Sequence, residues 1–182
     1  MLSISNFANE QIVSPGKILA LKDLWADGPC VLFFLRRLGC AICRSYIRMF
    51  EPFREEYAQK GVRMVCLSFE APGEGSDTDR SFAAGRYWGG EIYRIEKHVY
   101  QALFGRKTFT NSFFGLLDIN KAALERSKET PGNLKGDGFQ LGGQFVVGAD
   151  GSVLVDHRQK AFGDDVMPDN LFQVLDSLTS TK

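Results

Sequence analysis

Histidine is scarce: two in 182 residues, His98 and His157. Neither has the paired spacing of a histidine-based metal centre. Surplus charge is missing as well. The 22 Lys and Arg balance 22 Asp and Glu, so no overall field draws the chain to nucleic acid or to an anionic membrane. No apolar run is long enough to span a bilayer, and the opening residues MLSISNFANEQIVSPGK show neither the charged n-region nor the apolar h-region of a secretory signal. Asn-x-Ser/Thr does not occur. Four cysteines are too few for a disulfide scaffold. Neither a G-x-x-x-x-G-K-[ST] loop nor a G-x-G-x-x-G turn is present, which removes the usual nucleotide sites. These absences give the expectation of a cytoplasmic protein with no transmembrane segment, no nucleic-acid partner and no tightly bound cofactor.

What is present is core-forming material. Fifteen Phe within a 44% hydrophobic composition suit a single packed domain over residues 1–182, with residues 1–15 expected to be a loose N-terminus. The run Cys30–Leu35, CVLFFL, lacks period-two alternation, as a strand covered on both faces does. After Gly39, apolar residues at Ile42, Tyr46, Met49, Phe50, Phe53 and Tyr57 predict one helix, kinked at Pro52 and ended by Gly61. Val62–Phe69 reads as a second buried strand. Ala71–Asp79 reads as a loop, followed by a helix at 80–87, an extended EIYRI, a helix at 96–104 and another within 108–128. Thr130–Gly143 is too rich in Gly and Pro for regular structure. QFVVGADGSVLVDH predicts an antiparallel hairpin, and Met167–Leu178 predicts a closing helix with Pro168 near its start. Strand-helix-strand, an inserted helical segment and then strand-strand-helix is the element order of an α/β thioredoxin-like fold, with a central mixed sheet flanked by helices.

Chemistry concentrates in Arg36–Arg44, RRLGCAICR. A C-x-x-C where a buried strand hands over to a helix reads as a redox dithiol; half a zinc site would need two further ligands that the sequence does not offer. Cys40 at the helix N-terminus, near Arg36, Arg37, Arg44 and Arg48, is expected to be a thiolate nucleophile. Cys43, one turn on, could attack a sulfenic acid or mixed disulfide formed on Cys40. Glu70, closing the second strand, is a candidate to exchange protons with the dithiol, or else an exposed residue opening a loop. Cys30 and Cys66 read as small core residues, and His157 has no partner to make it a catalytic base.

The stretches RRLGCAICR, GGEIY, GNLKGDGFQLGGQFVV and HRQKAFGD, in that order, resemble the peroxiredoxin-like 2 family, a thioredoxin-fold group of the AhpC/TSA type, over about Trp25–Leu175. The resemblance implies that Cys40 and Cys43 are the redox centre. Departures from the wider superfamily fall at Arg37, where typical peroxiredoxins have Thr or Ser, and at Gly142 and Gly143, where thioredoxins have a cis-proline. Residues and resemblance together give the expectation of a thiol oxidoreductase that reduces a peroxide, a lipid hydroperoxide or a prostaglandin endoperoxide. It would be recharged by thioredoxin or a similar dithiol reductant, with NADPH acting only indirectly. Arg37, Arg44, Glu70, Gly142 and Gly143 are the expected supporting residues. The alternative is a redox-regulated interaction module without turnover.

Overall fold

The computed structural model describes residues 2–70, 77–107 and 119–179. Its centre is β3, Cys30–Phe34, in which all five residues are buried. Each face of that strand supplies a different core. Cys30, Leu32 and Phe34 pack on one side with Tyr100, Phe104 and Phe145, while Val31 and Phe33 pack on the other with Cys43, Tyr46, Phe50 and Leu171. This accounts for the missing alternation. β3 pairs in parallel with β4 (Arg63–Ser68), and β4 pairs in parallel with β5 (Glu91–Ile95). On its other edge β3 meets β6 (Gly143–Val147) antiparallel, and β6 turns back into β7 (Val153–Arg158). A hairpin of β1 (Gln11–Ser14) and β2 (Lys17–Ala20) completes a seven-stranded mixed sheet in the order β2-β1-β5-β4-β3-β6-β7.

Two expectations need correction. The single kinked helix over 42–57 is two helices, α1 (Ala41–Arg48) and α2 (Arg54–Gln59), separated by a 3-10 turn at Glu51–Phe53. Pro52 has no N–H to offer the preceding turn, and the chain re-enters helical geometry only after it. The N-terminus is not loose: Ile4 and Ile12 are fully buried, and the β1–β2 hairpin turns at Pro15–Gly16, with Gly16 at φ +75°. EIYRI, read as extended, is the sheet strand β5.

Among the described residues, the remaining α-helices are α3 (Asp77–Ala84), α4 (Lys97–Phe104), α5 (Lys121–Ser127) and α6 (Pro168–Thr179). α5 lies within the 108–128 segment where a helix is expected, beginning where the Asn120 side chain accepts the Ala122 and Ala123 N–H groups. Residues 108–118 and most of the 71–79 loop lie outside the described residues. Residues 128–142 are irregular, as their composition predicts.

Candidate functional site

β3 and α1 position the dithiol. The Leu35 N–H still donates to Leu67 O at 2.9 Å, so the chain leaves the sheet only at Arg36. Cys40 then takes the N-cap place of α1 with extended backbone (φ −78°, ψ 121°), and its carbonyl accepts the first helical hydrogen bond from Arg44 N at 2.9 Å. A sulfur therefore stands where Ser, Thr or Asp usually sits, beside free helix N–H groups. Cys43 lies one turn on. Both thiols are reduced and about 95% buried.

Among the three neighbouring arginines, Arg36 is the one that reaches the dithiol. Its Nη2 donates to Cys40 Sγ at 3.5 Å, and its Nη1 donates to Gly138 O at 3.0 Å and Gln140 O at 3.3 Å. The guanidinium lies 4.1 Å from the centre of the Phe162 ring. Arg36 is only 5% exposed, and among the described residues no carboxylate pairs with it. The Cys40 thiolate is thus the anion available to a nearly buried cation. A hydrogen bond from the Cys43 thiol and the charge of Arg36 hold the Cys40 thiol well below its ordinary range, against the opposing effect of burial. Cys43 moves the opposite way: its proton is engaged by Cys40, and burial and the Cys40 charge both oppose a second anion.

Arg37, the position singled out in the sequence, is buried too, but its Nη1 donates to Lys135 O at 2.8 Å. Arg44 spans Leu38 O (2.7 Å), Pro131 O (2.8 Å) and Ser81 Oγ (2.6 Å). The three arginines therefore bind main-chain carbonyls of one irregular strap, residues 131–140, and hold it across the start of α1. The strap also donates Asn133 N–H to Gly39 O at 2.8 Å. Glu70 is half-buried rather than exposed. It accepts the Leu38 N–H at 2.7 Å, and burial pushes its carboxyl above the ordinary range despite that bond and the nearby Arg37 charge. A side chain at Gly142 would collide with Phe34 O, and one at Gly143 with His157 O, so both glycines serve the close approach of β6 to its neighbours. Cys30 and Cys66 are fully buried in strands, with their thiols pushed up by burial. His157 places Nε2 2.8 Å from Asp164 O, away from any nucleophile. No group of metal-ligating side chains occurs among the described residues.

Beside Cys40 lies a cavity of about 590 Å³ with an apolar wall of Ile42, Ile119, Leu124, Leu134 and Phe162. Sequence reasoning could not find Phe162 or Leu124, because both are brought to the dithiol from elements far apart in the chain.

Residues 50–161 match the family model described as AhpC/TSA antioxidant enzyme. The chain belongs to this family. Within it, the peroxiredoxin-like 2 resemblance is matched by prostamide/prostaglandin F synthase of Homo sapiens, 34% identical over 88% of this chain and 81% of that protein. Peroxiredoxin-like 2A of Xenopus tropicalis is 31% identical over 88% of this chain and 68% of that one. Solved peroxiredoxins share the fold at low identity. Peroxiredoxin Q of Xanthomonas campestris superposes with a TM-score of 0.60 at 12% identity, covering 99% of this chain and 95% of that one. Peroxiredoxin 6 of Arenicola marina gives 0.60 at 15% identity, covering 96% and 72%. Fold and relatives together identify a member of a thiol oxidoreductase family with a thioredoxin-like, mixed-sheet architecture. No helix among the described residues is long and apolar enough to cross a membrane.

Proposed function

We propose that the chain is a cytoplasmic, thiol-dependent reductase of organic peroxides, with Cys40 as nucleophile and Cys43 as resolving thiol. The observation that carries this reading is Arg36: a nearly buried guanidinium whose available anion is the Cys40 sulfur. The apolar cavity beside that sulfur supports a lipid hydroperoxide or a prostaglandin endoperoxide over hydrogen peroxide, as do relatives that carry the name prostamide/prostaglandin F synthase. In the reaction, Cys40 S⁻ attacks one peroxide oxygen. An S–O bond forms, the O–O bond breaks, and the departing alkoxide takes a proton, for which the raised Glu70 carboxyl is the nearby candidate. Cys43 then displaces the oxygen from the Cys40 sulfenic acid to give a disulfide and the remaining hydroxylic product. A thioredoxin-type dithiol, fed by NADPH through its own reductase, returns the pair to thiols.

The test couples the chain to thioredoxin, thioredoxin reductase and NADPH and supplies hydrogen peroxide, a fatty-acid hydroperoxide and an endoperoxide in turn. Turnover should be faster with the organic peroxides. Cys40→Ser should abolish it. Cys43→Ser should still consume one equivalent and leave Cys40 as a sulfenic acid or mixed disulfide. Failure of the wild-type chain to turn over any of the three would overturn the enzyme reading in favour of a redox-regulated interaction module.

A further inference from the structure

Held against α1 by hydrogen bonds is a buried carboxylate that the mechanism above does not use. The Asp165 side chain is 4% exposed. Its Oδ1 accepts Gln159 Nε2 at 2.6 Å and Gln144 Nε2 at 3.3 Å, and its Oδ2 faces Arg126 Nη2 at 3.5 Å. Burial pushes the Asp165 carboxyl above its ordinary range, while Gln159, Arg126 and Gln144 oppose that rise; two amide donors and a guanidinium offer no acceptor for a carboxylic proton, so the geometry favours the ionised form. The network is anchored to α1. Arg126 Nε donates to Ser45 Oγ at 3.3 Å, Ser45 Oγ donates to Ile42 O at 3.0 Å, and Tyr46 Oη donates to Val166 O at 2.8 Å, next to Asp165 in the chain. It is anchored to the sheet through Gln144 of β6, whose Oε1 accepts Val166 N–H at 3.3 Å. Gln159 Oε1 in turn accepts Gly142 N–H at 2.9 Å. Four segments thus hold one carboxylate rigidly against the helix that carries Cys43.

We propose that Asp165 is a positioning residue for the dithiol: its carboxylate, held through Arg126, Ser45 and Tyr46 against the turn of α1 that carries Cys43, keeps the negative charge of the pair on Cys40. This rests on the reading of Cys40 and Cys43 as a redox pair. The titratable and charged groups that interact with Asp165 are Cys43 and Tyr46 of α1, Arg126 of α5 and His157 of β7. Arg36 acts on Cys43 with the opposite sign. In a site from which water is excluded, a fixed negative charge opposes ionisation of the nearer sulfur and leaves the proton there. Cys43 therefore remains a donor to the Cys40 thiolate until Cys40 carries an oxygen. At resolution the Cys43 sulfur gives up that proton and is oxidised, the Cys40 sulfur is reduced as its S–O bond breaks, and the proton departs with the hydroxide as water. Asp165 thus prevents the wrong sulfur from acting first.

The pH dependence of Cys43 alkylation isolates this coupling. It is followed by mass spectrometry in Cys40→Ser and in Cys40→Ser/Asp165→Asn, with circular dichroism and thermal unfolding run on both. Asparagine preserves shape and removes charge, and the Cys43 midpoint should fall by about one pH unit. A midpoint that stays in place or rises would overturn the proposal. A second measurement needs no variant of Asp165. In Cys40→Ser, the Asp165 carboxyl ¹³C resonance should shift as Cys43 ionises at alkaline pH, because a charge then forms on the sulfur that the carboxylate opposes. A resonance indifferent to Cys43 ionisation would overturn it equally. Neither measurement depends on peroxide turnover: coupling without turnover would leave Asp165 in place and remove the reductase reading, and turnover without coupling would do the reverse.

Discussion

Arg36 and Arg37 are adjacent in sequence and almost equally buried, yet their guanidiniums do different things. Arg36 reaches the Cys40 sulfur, and Arg37 reaches the Lys135 carbonyl. The sequence directs attention to Arg37 because of its place relative to Cys40, but side-chain direction in the turn between β3 and α1 is set by where the last sheet hydrogen bond falls. That bond is made by Leu35, and no periodicity in RRLG reports it. Removing the Arg36 charge takes away an interaction that favours the thiolate while leaving the burial that opposes it, so the Cys40 thiol must rise. Arg36→Met should raise the Cys40 midpoint by one to two pH units, on the order of what an adjacent opposite charge contributes. Labelling by iodoacetamide at pH 7 should slow roughly tenfold or more as the thiolate fraction falls. Arg37→Met should leave the midpoint near that of the wild type. A pH titration of thiolate absorbance on both variants checks the assignment, and equal shifts in the two would show that the pair acts as one diffuse charge.

At the scale of elements, the 131–140 strap meets the start of α1 through its main-chain carbonyls, while its own side chains fasten it elsewhere: Asp137 pairs with Arg106 and Lys97, and Gln140 Nε2 donates to Gly105 O. Pro131, Lys135, Gly138 and Gln140 each offer an oxygen to an arginine of the Arg36–Arg44 segment. Such docking needs a backbone that can lie flat on the site, and Gly136 supplies it at φ +90°, where a side chain would run into Glu70 Oε1. Gly136→Ala should cost about 1 kcal/mol or more, from the positive φ and the collision together. It should also raise the alkylation rate of Cys40 several-fold by lifting the strap. Thermal unfolding and timed alkylation read the two effects, and unchanged labelling with lowered stability would show that the strap does not limit access. The glycines make this segment legible as irregular from sequence alone, but not as a cover, because the arginine contacts span 87 to 104 residues of chain. Other elements follow the same divide. β3 and β4 are readable because burial on both faces leaves an unbroken apolar run. The β1–β2 hairpin is harder to see because its four-residue strands mix exposed and buried positions, although Pro15–Gly16 is a turn signal. The division of α1 from α2 is carried by Pro52, which the sequence reads as a kink. Asp165 gives no signal at all, since an acidic pair, Asp164–Asp165, before a helix reads as solvated surface.

If Cys40 and Cys43 cycle between dithiol and disulfide as proposed, the redox state is coupled to the stability of the whole molecule through the same buried charge. The sheet separates two cores, and the dithiol belongs to the one closed by α1, α6 and the Phe33, Tyr46 and Phe50 rings. In the reduced chain the Cys40 thiolate offsets the burial of Arg36; in a Cys40–Cys43 disulfide that charge disappears, and the guanidinium keeps only carbonyls and the Phe162 face. Oxidation should therefore destabilise this fold. A disulfide closing so short a loop removes little entropy from the unfolded chain in return. The pH dependence has a definite sign. Cys40 has a lowered pKa in the folded chain and an ordinary value of 9.0 when unfolded, so between the two the unfolded state binds more protons and the advantage of the reduced form grows as pH rises. Cys43 is raised above 9.0, so above that pH the folded state binds more protons and the advantage shrinks again. The melting temperature of the reduced chain should exceed that of the oxidised chain, with a gap that is small at pH 5 and widens toward pH 8 to 9. Paired calorimetric scans of the two forms, each verified by thiol counting, measure it. A higher melting temperature for the disulfide form across this range would mean that Arg36 finds its compensation elsewhere, and that the thiolate is not the charge around which this end of the fold is built.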